Sequence, residues 1–97
     1  MARRSVPKGW TEGSVEELLA LTPDESAIVE MRIRLSESVR ERRRAKGLTQ
    51  HELARRIGSS QQRVAKLEQA GASLEMLTRA LLALGASRKE IARLLAA

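Results

Sequence analysis

Four polar side chains in one short stretch, Gln61, Gln62, Arg63 and Lys66, are the residues best placed to do chemistry in this 97-residue chain. A glutamine amide donates and accepts side by side, so it can pair bidentately with adenine N6 and N7, while Arg and Lys can donate to guanine O6 and N7. A helix that serves only a core has no need of such a row. A helix laid in the major groove of double-stranded DNA does. Other chemistries lack their residues. The chain has no cysteine, one histidine (His51) and one aspartate (Asp24). A disulfide framework, a thiolate zinc site and a cysteine nucleophile are excluded, and a Ser-His-Asp triad or a His-rich metal site is implausible. No two titratable groups are placed for one to tune the other. The residues therefore imply no enzyme: no catalytic residue, no metal and no cofactor.

The elements that would position the row lie on either side of it. Residues 48–68 read LTQHELARRIGSSQQRVAKLE, two short helices joined by Gly58-Ser59-Ser60, a connection that lets them cross steeply. Leu53, Ala54 and Ile57 on the first helix and Val64 and Leu67 on the second make one shared apolar face. Ala54 must be small where the second helix crosses it, and Gly58 permits the sharp turn. With that face buried, Gln61, Gln62, Arg63 and Lys66 point outward, with Gln69 at the end of the row.

The pattern Gln50-x-Glu52-Leu53-Ala54-x-x-x-Gly58-x-Ser60-Gln61-x-x-Val64-x-x-Leu67-Glu68 resembles the helix-turn-helix of the lambda/434 repressor-like superfamily, the xenobiotic-response-element-type regulators, over about residues 36–84. The flanks resemble small HigA-type antitoxin regulators. The resemblance implies a five-helix DNA-binding domain with an N-terminal helical extension. It implies that Gln61, Gln62 and Lys66 read bases and that Ser60 caps the helix ahead of them at the phosphate backbone. Gln50 would bond a phosphate and brace the recognition helix. Arg43 and Glu68 match a largely buried ion pair that ties the preceding helix to the end of the recognition helix, a structural role and not a DNA contact. The loop from Glu68 to Ser73, which contacts phosphates in related repressors, carries no Lys or Arg here. The backbone grip then falls to Arg44, Lys46 and Arg55, with Arg40, Arg42, Arg56 and the N-terminal arm as further candidates. Successive helical residues stand about 100° apart, so not all of these can face DNA.

The rest of the chain reads as all-α. Hydrophobic residues make up 42% of it, with one Trp and no Phe or Tyr, so its core is aliphatic. No segment alternates with the period of a half-buried strand. Helices are predicted over about 14–21, 23–46, 49–57, 60–70, 73–84 and 87–96. Capping boxes open four of them, at Ser14–Glu17, Thr22–Glu25, Thr49–Glu52 and Ser87–Glu90, and Ser60 and Ser73 cap two more. Gly47, Gly58, Gly71 and Gly85 read as left-handed stops. The stripe Ile28, Met31, Leu35, Val39 favours one continuous helix over 23–46, against a break capped by Ser36 or Ser38. Val29 and Ile33 lie off that stripe, either packed under the helix at 14–21 through Val15, Leu18 and Leu19 or forming a dimer seam. Leu74, Leu77, Leu81 and Leu84 read as core, and Ile91, Leu94 and Leu95 as either core or a dimer contact. Trp10 reads as a plug anchoring the N-terminal segment, and His51 as an exposed side chain.

The formal charge of +6 is unevenly spread. Residues 1–10 carry +3, residues 11–31 carry −6 with no Lys or Arg, and residues 32–66 carry +8. The division is thus a basic arm and acidic helical extension over 1–31, and a DNA-binding domain over 32–97 with its motif at 49–68. The expected protein is a transcription regulator, probed most simply as a homodimeric repressor on an inverted-repeat operator. Its dimer would form through the N-terminal helices or through helix 87–96. The alternative is an antitoxin whose acidic segment neutralises a basic toxin. The chain has no apolar run long enough for a membrane span and no signal-like start, so the expected location is the cytoplasm, associated with the nucleoid.

Overall fold

The computed structural model describes residues 21–97. Five α-helices and no strand are present among them: α1 Pro23–Ala45, α2 Gln50–Arg56, α3 Gln61–Leu67, α4 Leu74–Ala83 and α5 Arg88–Ala96. The predicted helix at 14–21 and its Ser14–Glu17 box, the basic arm, Trp10, Val15, Leu18 and Leu19 lie outside the described residues. The chain divides into two units, residues 1–30 and 31–97.

In the first unit, the described residues open α1. Thr22 and Glu25 form the predicted capping box, with Glu25 N donating to Thr22 Oγ1 at 3.1 Å and Thr22 N donating to Glu25 Oε1 at 2.9 Å. Asp24 and Glu25 stand in the first turn, where the helix dipole favours negative charge. Ile28 departs from the reading of a buried stripe and is 37% exposed.

In the second unit, α1 runs on unbroken. Neither Ser36 nor Ser38 caps a new helix; the Ser36 hydroxyl donates to Ile33 O at 2.9 Å within the helix. At 23 residues, α1 is about 34 Å long at about 1.5 Å per residue. Leu35 and Val39 face the core, Met31 is half-buried and Ile33 is exposed. The core gathers Leu35 and Val39 of α1 with Leu53, Ala54 and Ile57, Val64 and Leu67, Leu77, Ala80, Leu81 and Leu84, and Ile91. Leu74 is only half-buried; Leu94 packs against the core, while Leu95 stays exposed. Each helix thus spends one apolar stripe on a single aliphatic centre.

The helix ends follow local chemistry. Thr49 and Glu52 cap α2 reciprocally, and Ser87 and Glu90 cap α5 in the same way. Those bonds hold the Glu52 and Glu90 carboxyls below their ordinary pKa: the backbone N–H of Thr49 acts most on Glu52, and that of Ser87 most on Glu90, where Arg42 adds to it. Ser60 and Ser73 cap α3 and α4 without a glutamate partner.

One predicted stop is corrected. Gly47, Gly58 and Gly85 have positive φ, but Gly71 does not; the left-handed residue there is Ala70, at φ 63°. Helix 60–70 accordingly ends sooner than predicted, at Leu67. The chain then tightens through Gln69 N to Lys66 O at 3.0 Å and Ala70 N to Leu67 O at 3.3 Å, and Gly71 N closes onto Lys66 O at 2.8 Å. Gly71 is needed for closeness instead: a Cβ there would stand 3.1 Å from Lys66 O.

Candidate nucleic-acid interface

Helices α2 and α3 are locked together before any polar side chain is considered. Leu53, Ala54, Ile57, Val64 and Leu67, the five residues of the shared face, are all at most 6% exposed. The turn between them uses Gly58 at φ 65°, with Ser59 N reaching back to Ala54 O at 2.8 Å. Ser60 then opens α3, its Oγ accepting from Arg63 N at 3.2 Å. Burying Val64 and Leu67 leaves Gln61, Gln62, Arg63 and Lys66 exposed on α3. Gln69 is exposed too, but beyond the end of the helix.

A chain of hydrogen bonds runs behind this row. Arg43 of α1 donates to both carboxylate oxygens of Glu68, from Nε to Oε2 at 2.5 Å and from Nη2 to Oε1 at 3.1 Å. Both side chains are buried, at 11% and 3% exposure. The bonds to Glu68 hold the Arg43 guanidinium above its ordinary pKa, outweighing the lowering by desolvation, and the charge of Glu68 adds to them. Arg43 Nη1 also donates to Leu48 O at 2.8 Å, while Leu48 N donates to Arg43 O at 3.1 Å. One arginine thus fixes the link from α1 to α2 as well as the end of α3.

The chain continues outward. Gln50 Nε2 donates to Glu68 Oε1 at 3.1 Å, and Gln61 Nε2 donates to Gln50 Oε1 at 2.6 Å. The sequence pattern anticipates the Arg43–Glu68 contact and a brace from Gln50. It does not reveal that Gln50 sits between Glu68 and Gln61 and bonds both. Three long-range partners of matched donor and acceptor type are the only hint, and the sequence does not pair them.

The remaining basic residues are placed individually. Arg44 and Arg55 are exposed. Lys46 is exposed near the end of α4: a Cβ at Gly85 would lie 3.8 Å from its Nζ, so its charge also complements the C-terminal carbonyls of that helix. Arg42 pairs with Glu90 at 3.1 Å, tying α1 to α5, a contact the sequence reading missed. Arg63 and Lys66 border a shallow cavity of about 290 Å³ shared with Gly71, Ala72, Ser73 and Met76. No three His, Cys, Asp or Glu side chains stand together as a metal site among the described residues, and no described helix is long and apolar enough to cross a membrane.

A sequence model of the helix-turn-helix family matches residues 39–91. That span takes in the end of α1, all of α2, α3 and α4, and the start of α5. Searches of curated proteins and of solved structures return no match to the chain.

Proposed function

Because the chain belongs to the helix-turn-helix family, a family of DNA-binding regulators, we propose that it is a sequence-specific transcriptional repressor that reads the major groove with α3. The observation that carries this is the outward row Gln61, Gln62, Arg63 and Lys66, exposed on a short helix whose other face is sealed against α2. Base contacts from that row choose the site, and phosphate contacts position the protein. The phosphate contacts are assigned to Gln50, Ser60, Arg44, Lys46 and Arg55. Arg43 and Glu68 are assigned no DNA contact, because both are buried and bonded to each other and to their neighbours.

One such helix reads only a few base pairs. A homodimer on an inverted repeat, with half-sites about 34 Å apart, multiplies that specificity. Exposed Leu95 supports a dimer contact through α5. Selection from a randomised double-stranded DNA pool tests the reading: an enriched inverted repeat supports it, and enrichment of no sequence contradicts it. Binding should also weaken with salt, with a log–log slope of about −0.9 per phosphate neutralised.

A second reading, that of a HigA-type antitoxin, is favoured by the −6 carried over residues 11–31. In its described part, Asp24, Glu25 and Glu30 are exposed beside exposed Ile28. A basic, RNA-cleaving toxin would be complementary to that surface. An adjacent gene for such a protein, whose complex with this chain is lost on deleting residues 1–21, supports the reading; a complex that survives the deletion contradicts this assignment of the surface.

A further inference from the structure

We propose that the hollow between α3 and the start of α4 binds a small amphipathic anion, a carboxylate carried on a short hydrocarbon tail, and that this ligand and DNA exclude one another because both engage Lys66. The site rests on the cavity and its lining. The exclusion rests on the reading of Lys66 as a base contact.

The hollow comes from the way the chain leaves α3. The helix ends at Leu67, Ala70 takes φ 63°, and Gly71 N closes onto Lys66 O at 2.8 Å. That close approach is open only to glycine without a shift of its neighbours, since a Cβ there would stand 3.1 Å from Lys66 O. Ala72 and Ser73 follow, both small, before α4 begins at Leu74 and brings in Met76. Small residues on the loop and longer ones on the two helices leave about 290 Å³ between them. That volume lies just under the range of about 300–1,000 Å³ that serves drug-sized ligands, so it suits a smaller molecule.

The lining is of two kinds. Leu67, Ala72 and Met76 form the apolar part; Leu67 belongs to the core, and Ala72 and Met76 pack half-buried against it. A methionine side chain adapts to irregular shapes. Arg63 and Lys66 border this floor, both exposed and neither in an ion pair among the described residues. Three residues apart, they stand on the same side of α3. No acidic side chain lines the hollow, and Glu68, which follows Leu67, is committed to Arg43. A carboxylate would accept charge-assisted hydrogen bonds from the two cations, while its tail leaves water for Leu67, Ala72 and Met76. A neutral apolar molecule would not answer the cations, and a bare anion would not cover the floor. Once bound, the anion occupies the Lys66 ammonium and sets negative charge beside the reading row, so ligand and DNA weaken each other reciprocally.

The probes are octanoate, hexanoate and acetate, compared at equal ionic strength so that salt weakens DNA binding alike in all three. Amide chemical shifts of the isotope-labelled full chain report the site. Affinity for the DNA sequence enriched by the full chain reports the exclusion. Ala72→Leu fills the hollow, and thermal unfolding checks that it folds.

Octanoate should shift the amides of Lys66, Gly71, Ala72 and Ser73 saturably, and acetate should not. Hexanoate should bind more weakly than octanoate, by up to about fourfold for each methylene lost. At about ten times its own Kd, octanoate should weaken DNA binding by at least about tenfold, as exclusive binding requires. Folded Ala72→Leu should show neither response. Shifts that do not saturate, that lie elsewhere or that acetate reproduces overturn the site. Saturable shifts at these residues with unchanged DNA affinity overturn the exclusion and leave the site standing. If the full chain enriches no DNA sequence, the base-reading assignment fails and the exclusion with it, and the shifts alone decide the site. Should Ala72→Leu not fold, the order of affinity among the three probes decides.

Discussion

Arg43 grips Glu68 through two N–H groups, at 2.5 and 3.1 Å, and gives a third to the carbonyl of Leu48 at 2.8 Å. The pair joins the long first helix to the end of α3, so it holds the helix-turn-helix against α1. Removing one member leaves a buried charge without its partner, which costs about 3–5 kcal/mol. Arg43→Met should lower stability by that order in urea unfolding. Arg43→Met combined with Glu68→Leu should lose less than Arg43→Met alone, because no charge is then stranded. A double variant as unstable as the two single losses added together would contradict this account of the pair.

The two left-handed residues flanking α3 make opposite predictions. Gly58 has φ 65° with open space around it, and Ala70 has φ 63°. A side chain at such a φ costs about 1–2 kcal/mol. Gly58→Ala should therefore destabilise by about 1 kcal/mol, and Ala70→Gly should stabilise by about 0.5 kcal/mol once the greater freedom of unfolded glycine is subtracted. Thermal unfolding of the two variants checks the signs. Shifts of the same sign would contradict the argument.

Acid should weaken the helix starts at α2 and α5. Glu52 and Glu90 have their carboxyl pKa lowered from 4.5 by hydrogen bonds to the cap residues. A carboxyl depressed in the folded state stabilises above its unfolded value, and that contribution is lost as pH falls through the depressed folded value. Tm should hold from pH 7 to about pH 5 and decline below the ordinary value of 4.5. The double variant Glu52→Gln with Glu90→Gln keeps the capping geometry but removes the titration, so its decline should be shallower. An equally steep decline would place the acid sensitivity elsewhere.

Much of the described fold is legible in the sequence because its signals are local. A Ser or Thr with Glu three residues on writes a helix start into four adjacent positions, as Thr49–Glu52 and Ser87–Glu90 show. The shared face of α2 and α3 is legible because five apolar residues keep helical register on both sides of Gly58. Ala70 was not legible: a glycine next to it offers the cheaper left-handed stop, and only the approach of Lys66 O to Gly71 shows why that glycine serves another purpose. Ile28 keeps the period of the α1 stripe yet is exposed, because period alone does not tell which residues of a stripe are covered. Arg42–Glu90 and the link from Glu68 through Gln50 to Gln61 are long-range pairings between common residue types. Arg43–Glu68 was anticipated only because the pattern around it resembles a known motif.

The central claim is that α3 reads bases through its exposed row. The most direct test measures binding of Gln61→Ala with Gln62→Ala to the DNA sequence enriched by the full chain and to scrambled DNA of equal length. Both side chains are exposed, so the double variant should unfold at nearly the same temperature as the parent. It should keep its affinity for scrambled DNA while its preference for the enriched sequence falls by about tenfold or more, as expected when bidentate base contacts are lost. A folded double variant that retains full discrimination would contradict the assignment of α3 as the reading helix.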